Sequence, residues 1–491
     1  MPNLKPLLKD TAIYGLSSIV GRFLNYLLVP LYTHYMPTAS GDYGVTTNVY
    51  AYTALILVIL VFGMETTLFR YANDAPPADF VSKGKNWPDT VFSTGFALIV
   101  FLTALFLFGV FGYITPISNY LGYADHPEYL LMMAMVVAMD ALQSLPFSYL
   151  RFRKRPIRFA TLKLIFIVVN IGLNLIFFAV LHKTQAFYPF AINLFCTSLI
   201  TLLFVPELLK IQWHFDVKLL CRMLSYSWPI LVLGVAGILN QVADKIIFPL
   251  VYPDKSMAHV ELGIYGSCVK VAMVMSMITQ AFRYAYEPIV FAKAKDGDKG
   301  EYYAATMKYF ILFVLFAFLC VMGYIDLLQR LIGAGYREGM KVVPIVMAAE
   351  IMMGIYFNLS FWYKLIDRTI YGALFSLVGC VMLFAVNIYY IPEYGYMACA
   401  WGGVAGYGTA MLLSYVVGQW QNPIPYPMKR ITAAVVFAAL CYGLMTLVPS
   451  DWHIVFRLAI HTLLIGLYVA YVVWTEFRQL IPLRWRQFLN D

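Results

Sequence analysis

Apolar segments about twenty residues long recur along the whole chain, separated by short polar or Pro- and Gly-bearing connections. A bilayer core about 30 Å thick takes roughly 20 helical residues to span. Segments of that kind occupy residues 11–35, 44–69, 90–113, 128–150, 158–181, 187–209 and 223–251, then 262–291, 303–325, 341–363, 369–390, 395–418, 431–448 and 454–476. The pattern predicts an all-α polytopic membrane protein of about fourteen transmembrane helices. Several segments exceed 25 residues, which calls for tilted or broken helices. The runs are continuously apolar rather than alternating, which speaks against a β-barrel.

Composition agrees. Of the 491 residues, 61% are hydrophobic and 12% charged, and the mean hydropathy is +0.73. A soluble domain carries roughly 25% charged residues, so this chain could not cover a water-exposed surface. A soluble enzyme, a nucleic-acid-binding domain and a disordered scaffold are thereby excluded. The formal net charge of +9 has another source, the basic loops that fix orientation in a bilayer. Counted with the N-terminus inside, twenty-three Lys and Arg fall on the cytoplasmic side, among them Arg151, Arg153, Lys154, Arg155 and Arg158. The opposite side holds five: Lys183, Lys255, Arg330, Arg337 and Lys341. Both termini are therefore expected in the cytoplasm, with the first helix retained rather than cleaved as a signal.

The seven cysteines lie singly, without a C-x-x-C pair or zinc spacing, so neither disulfide nor metal is expected. No G-x-x-x-x-G-K-[ST] occurs. Gly402-Gly403-Val404-Ala405-Gly406 lies within an apolar segment and follows no strand. Its small residues four apart read as a close helix crossing. The exterior connections are too short to fold into a catalytic domain. No catalytic residue and no cofactor are expected.

The first two segments resemble the seventh and eighth. Asn25-Tyr26-Leu27-Leu28-Val29-Pro30-Leu31-Tyr32 parallels Asp244-Lys245-Ile246-Ile247-Phe248-Pro249-Leu250-Val251-Tyr252, and Tyr43-Gly44 parallels Tyr265-Gly266. The same register pairs Asn48 with Lys270 and Glu65 with Glu287. Duplicated bundles are a common plan among transporters. The expected organisation is two pseudo-symmetric six-helix lobes, 1–215 and 216–425, with residues 426–491 adding helices 13 and 14 and a cytoplasmic tail.

Seven basic residues lie within the segments or near their ends: Arg22, Lys163, Lys245, Lys270, Arg283, Lys308 and Arg457. Intramembrane charges are costly and normally face a cavity or a partner. Tyr14, Ser18, Arg22 and Asn25 follow helical spacing and form one polar stripe, as do Ser276, Gln280, Arg283 and Glu287. Lys270 falls roughly 80° from the second stripe at 100° per residue. Two such stripes imply a wet cavity between the lobes. Arg22, Asn25, Lys270, Gln280 and Arg283 are the candidate substrate-binding residues, and Glu65, Asp244, Lys245 and Glu287 the candidate cavity or coupling charges. The alternative is internal pairing, Arg283 with Glu287 and Asp244 with Lys245 or Arg22. A cationic cavity prefers anionic cargo, and the arginine fork suits phosphate.

Phe23-Leu24-Asn25-Tyr26-Leu27-Leu28-Val29-Pro30-Leu31-Tyr32 followed by Asp42-Tyr43-Gly44-Val45 resembles the opening of bacterial polysaccharide-biosynthesis flippases, the O-antigen and exopolysaccharide exporters. Gly63-Met64-Glu65-Thr66-Thr67-Leu68-Phe69-Arg70-Tyr71 is similar to the end of their second helix. Val342-Val343-Pro344-Ile345, Tyr356, Asn387 and Ile391-Pro392-Glu393-Tyr394-Gly395-Tyr396-Met397-Ala398 are similar to their tenth to twelfth helices. The family belongs to the multidrug/oligosaccharidyl-lipid/polysaccharide exporter superfamily. The resemblance implies a lipid-linked oligosaccharide on undecaprenyl diphosphate, moved from the inner to the outer leaflet of the bacterial inner membrane. It leaves room for a complex with a polysaccharide polymerase and implies no nucleic-acid partner. Alternatives on the same scaffold are a cation-coupled drug or metabolite antiporter and a lipid II flippase, although the arginine-rich first helix typical of the latter is missing. A membrane-embedded polymerase or ligase would need an exterior carboxylate cluster, which the sequence does not offer.

Overall fold

The computed structural model describes residues 28–74, 76, 86–293, 299–366, 368, 370–449 and 451–477. Among these the ordered backbone is helical, with no strand, and twelve helices are long and apolar enough to cross a membrane. They answer to twelve of the expected segments. The first segment is described only from residue 28, and residues 28–35 are helical. The twelfth is the helix Tyr396–Gln421, whose 26 residues reach about 39 Å at 1.5 Å per residue. The protein is a multi-pass α-helical membrane protein, and its apolar surface is turned outward. Phe101 is 63% exposed and Phe108 75%, a cost in water that disappears in lipid.

Local chemistry sets the helix ends. Prolines occupy the first turn of Trp87–Gly112, Pro127–Phe152 and Pro156–Asn174, where a missing N–H costs nothing and the fixed φ suits entry. The second segment is not one straight helix. Asp42–Val61 and Met64–Asn73 are separated by Phe62 at φ 52° and Gly63 at φ 68°. Two successive left-handed residues break the hydrogen-bond ladder, and Gly63 adopts that conformation without steric cost. The fifth segment ends in a π-helical stretch, Leu175–Val180.

The chain forms two compact units. The first comprises the described residues through Gly266, with Ile391–Tyr396. Pro127–Phe152 runs through its interior, and Met64, Leu68, Val91, Phe92, Leu145 and Met223 form the main apolar cluster. At one end of that cluster Asp89, 4% exposed, accepts from the Tyr149 hydroxyl and from Arg153 Nη2, the latter at 2.8 Å.

The second unit comprises Ser267–Tyr390 and the described residues from Met397. Trp362 is its largest fully buried side chain, and its indole donates to the Ser414 carbonyl at 3.1 Å. The Gly402–Gly406 crossing is present: a Cβ on Gly406 would lie 2.9 Å from the Gly379 carbonyl. The last two spans, Met428–Thr446 and Ile454–Phe477, pack on the ninth, Lys299–Gly323. Tyr468 donates to the Leu312 carbonyl at 3.1 Å and His461 Nδ1 lies 2.8 Å from the Gly323 carbonyl. Lobe boundaries near 215 and 425 would follow the internal repeat, a separate criterion from compactness.

Candidate functional site

Asn48 is 1% exposed in the middle of an apolar helix, so its amide requires partners. The seventh span, Val217–Val251, supplies one. Pro249 lies inside that helix and has no N–H to give the carbonyl four residues earlier, that of Lys245. Asn48 Nδ2 donates to this carbonyl at 2.6 Å, replacing the lost helical bond. Its Oδ1 accepts from the Tyr123 hydroxyl at 2.6 Å. Burial pushes the Tyr123 phenol well above the usual tyrosine range, which keeps it a donor.

The predicted charges Asp244 and Lys245 meet here. Lys245 Nζ lies 2.9 Å from Asp244 Oδ1, and Tyr265, from the eighth span, donates to Asp244 Oδ2 at 2.6 Å. The eighth span, Ala258–Lys293, begins beside the second. A Cβ on Gly44 would overlap the His259 carbonyl and lie 3.0 Å from the Gly263 nitrogen, while one on Gly266 would lie 2.9 Å from Thr47 Oγ1. The crossing combines close glycine contacts, the buried Asn48 amide and the Tyr265–Asp244 hydrogen bond, and the second and seventh spans also share the apolar cluster of Met64, Leu68 and Met223. Asn48, Tyr265 and Tyr123 were not among the expected site residues. The available signal was Pro249, four residues after Lys245.

Glu65 sits on Met64–Asn73 and faces Arg151 Nη2 at 3.4 Å. The same guanidinium bonds the Ser148 hydroxyl at 2.9 Å and lies 5.3 Å from the Phe69 ring centre. Glu65 is thus paired from the fourth span.

Further along the eighth span, Lys270, Gln280 and Arg283 are half-buried. Gln280 Nε2 donates to Ser276 Oγ at 3.5 Å, so two members of the predicted stripe do share a face. The Arg283 guanidinium lies over Phe357 at 5.1 Å from the ring centre, a cation–π contact. Glu287 continues the helix, and its side chain lies outside the described residues, as do Arg22 and Asn25.

Among the other intramembrane cations, Lys308 bonds Glu476 and Arg457 Nη2 lies 2.7 Å from Asp326 Oδ2. These are structural pairs. No group of three or more His, Cys, Asp or Glu able to hold a metal occurs among the described residues.

The family described as "Polysaccharide biosynthesis protein" matches residues 7–291, more than half of the chain and including the second, seventh and eighth spans just described. The chain belongs to this family. Among curated proteins none matches. Among solved structures, a lipid II flippase MurJ in an inward closed conformation superposes with a TM-score of 0.73 at 14% identity, covering 95% of this chain and 99% of the other. An outward-facing multidrug resistance MATE family transporter of the MOP superfamily gives a TM-score of 0.58 at 13% identity, covering 86% and 96%. A Vibrio cholerae MATE transporter gives 0.55 at 13%, covering 85% and 96%. These likenesses establish a shared fold for this polysaccharide biosynthesis protein.

Proposed function

We propose that this polysaccharide biosynthesis protein is a flippase. It carries undecaprenyl-diphosphate-linked oligosaccharide from the inner to the outer leaflet of the bacterial cytoplasmic membrane by alternating access. The product feeds cell-surface polysaccharide assembly, and both termini stay in the cytoplasm. In this reading the lobes are 1–215 and 216–425, with 426–491 beside the lipid tail. Family membership supports the cargo class. The observation that carries the mechanism is the junction of the second, seventh and eighth spans. Beside the apolar cluster that the second and seventh spans share, it contains close glycine contacts and polar bonds, and the polar bonds exchange for water at small net cost.

Arg22, Arg283 and Lys270 hold the diphosphate. A diphosphate carrying roughly two negative charges loses several kcal/mol per ion when desolvated without compensation, and fixed guanidinium groups offset that loss. Asn25 and Gln280 offer hydrogen bonds to the head group. Glu65, Asp244, Lys245 and Glu287 are the charges whose pairing changes as access alternates.

The test measures the leaflet distribution of lipid-linked glycan in cells carrying Arg22→Ala or Arg283→Ala at normal protein level. Accumulation at the inner leaflet is expected for both variants. Unchanged translocation in both overturns the cation assignment. Sensitisation to cationic compounds without glycan accumulation assigns the scaffold to a drug antiporter instead.

A further inference from the structure

A cavity of about 320 Å³ opens between the start of the thirteenth span and the end of the fourteenth, far along the chain from the candidate transport residues. Lys429 and Arg430 stand on its rim in the first turn of Met428–Thr446. Tyr471, Trp474 and Thr475, in the last turns of Ile454–Phe477, form its wall. Buried Leu312 and Ala434 form an apolar floor. One carboxylate, Glu476, also lines the cavity. Its charge is already met from beneath by Lys308, to which it is hydrogen-bonded, both side chains being at most 10% exposed. Arg430 Nη1 remains 3.9 Å from Glu476 Oε1 with a side chain 56% exposed. The mouth is therefore net positive, while the interior is apolar and aromatic.

Its level in the membrane is given by the helix ends. First-turn lysine and arginine beside last-turn tryptophan and tyrosine mark the water–lipid boundary, where amphipathic rings settle. A volume of this size lies within the range of small-molecule sites. Basic pockets between membrane helices at that depth suit phosphate-bearing headgroups, with the arginine fork taking two phosphate oxygens.

We propose that this cavity binds the phosphate headgroup of an anionic phospholipid, with Lys429 and Arg430 on the phosphate, Thr475 at the glycerol level and the acyl chains leaving into the bilayer past the exposed Trp474. The site is independent of the flippase reading. It ties the last two spans to the surrounding leaflet and to the ninth span.

The experiment is native mass spectrometry of the full chain in detergent, titrated separately with phosphatidylglycerol, phosphatidylcholine and inorganic phosphate. Each basic residue near a membrane surface contributes about 1 kcal/mol toward an anionic lipid. Lys429→Gln with Arg430→Gln should therefore weaken phosphatidylglycerol retention about ten- to thirty-fold and leave phosphatidylcholine adducts unchanged. Ala433→Phe, which fills the cavity and keeps both charges, should weaken it as well. Lys210→Gln with Lys218→Gln, two exposed basic residues outside the cavity, should have no effect. Equal retention of the two lipids, an unaffected double variant, or an equal loss in the Lys210/Lys218 control overturns the proposal. So does displacement of phosphatidylglycerol by millimolar inorganic phosphate, which would assign the site to the free anion.

Discussion

The side-chain amide of Asn48 donates to the backbone carbonyl of Lys245 at 2.6 Å, the carbonyl left without a helical donor by Pro249. A proline in the interior of one span is thus compensated by a polar residue in the interior of another, 197 positions away. Each would be a liability alone. Together, each satisfies the polar group that the other would leave unpaired.

Replacing Asn48 with Ala strands the Lys245 carbonyl and removes the acceptor of the Tyr123 hydroxyl. A buried group left unsatisfied costs about 1–3 kcal/mol, so detergent-solubilised Asn48→Ala should melt below the parent. Pro249→Ala restores an N–H to the seventh span. The double variant should therefore melt closer to the parent than Asn48→Ala does. Additive losses would mean that the amide is not acting through that carbonyl.

Much of this architecture could be read from the chain because lipid imposes a length rule on every span. The segments predicted at 128–150 and 187–209 are found at Pro127–Phe152 and Phe187–Leu208, since prolines, glycines and polar clusters end them locally. The 26-residue length of the second segment calls for a tilt or a break, but it does not place the turn at Phe62–Gly63. Hydropathy is blind to φ, and only Gly63 hinted at it. Side-chain partners were least legible. Lys308 pairs with Glu476, 168 residues away, and Arg457 with Asp326, so neither partner lies within helical reach of its own segment. Spacing leaves Asp244 a choice between Lys245 and Arg22, and its adjacent residue Lys245 lies 2.9 Å away. The place of Glu65 near a cytoplasmic helix end points to pairing or snorkelling, but its partner Arg151 comes from a different span and is not legible from spacing.

Asp244 and Lys245 should behave as a coupled unit. Their side chains are 12% and 16% exposed, and removing one partner of a largely buried pair costs about 3–5 kcal/mol. Asp244→Asn and Lys245→Met are each expected to lower the melting temperature markedly. The double variant Asp244→Leu/Lys245→Met should recover much of the loss, because an apolar pair leaves no orphaned charge. A double-mutant cycle with no coupling energy would contradict the pairing.

Glycine contacts make a sharper steric forecast. Gly44→Ala places a methyl group on the His259 carbonyl, so the second and eighth spans must separate. Overpacking of this kind costs about 1–3 kcal/mol. Gly172→Ala meets nothing within 4 Å and should be neutral or mildly stabilising, as alanine exceeds glycine in helix propensity by about 1 kcal/mol. Parallel melting curves test both. Under the proposed mechanism Gly44→Ala also impairs glycan translocation, and Gly172→Ala leaves it intact.

Two ion pairs of unequal burial give a final contrast. Glu476 is 4% exposed and its partner Lys308 10%, so Glu476→Gln leaves a largely buried ammonium without its counter-ion. The protein must then carry the unpaired charge or deprotonate the lysine, and the expected loss is about 3–5 kcal/mol. Lys341 and Glu338 lie 3.5 Å apart with side chains 51% and 72% exposed. Water screens that pair, and exposed pairs contribute about 0–1 kcal/mol. Glu338→Gln should leave the melting temperature within error of the parent, while Glu476→Gln should lower it by several degrees. Lys308→Met in the Glu476→Gln background removes the stranded ammonium and should restore part of the difference. If instead the single Glu476 variant melts like the parent, Lys308 has found another partner or reached solvent, and the ninth and fourteenth spans are not joined through this pair.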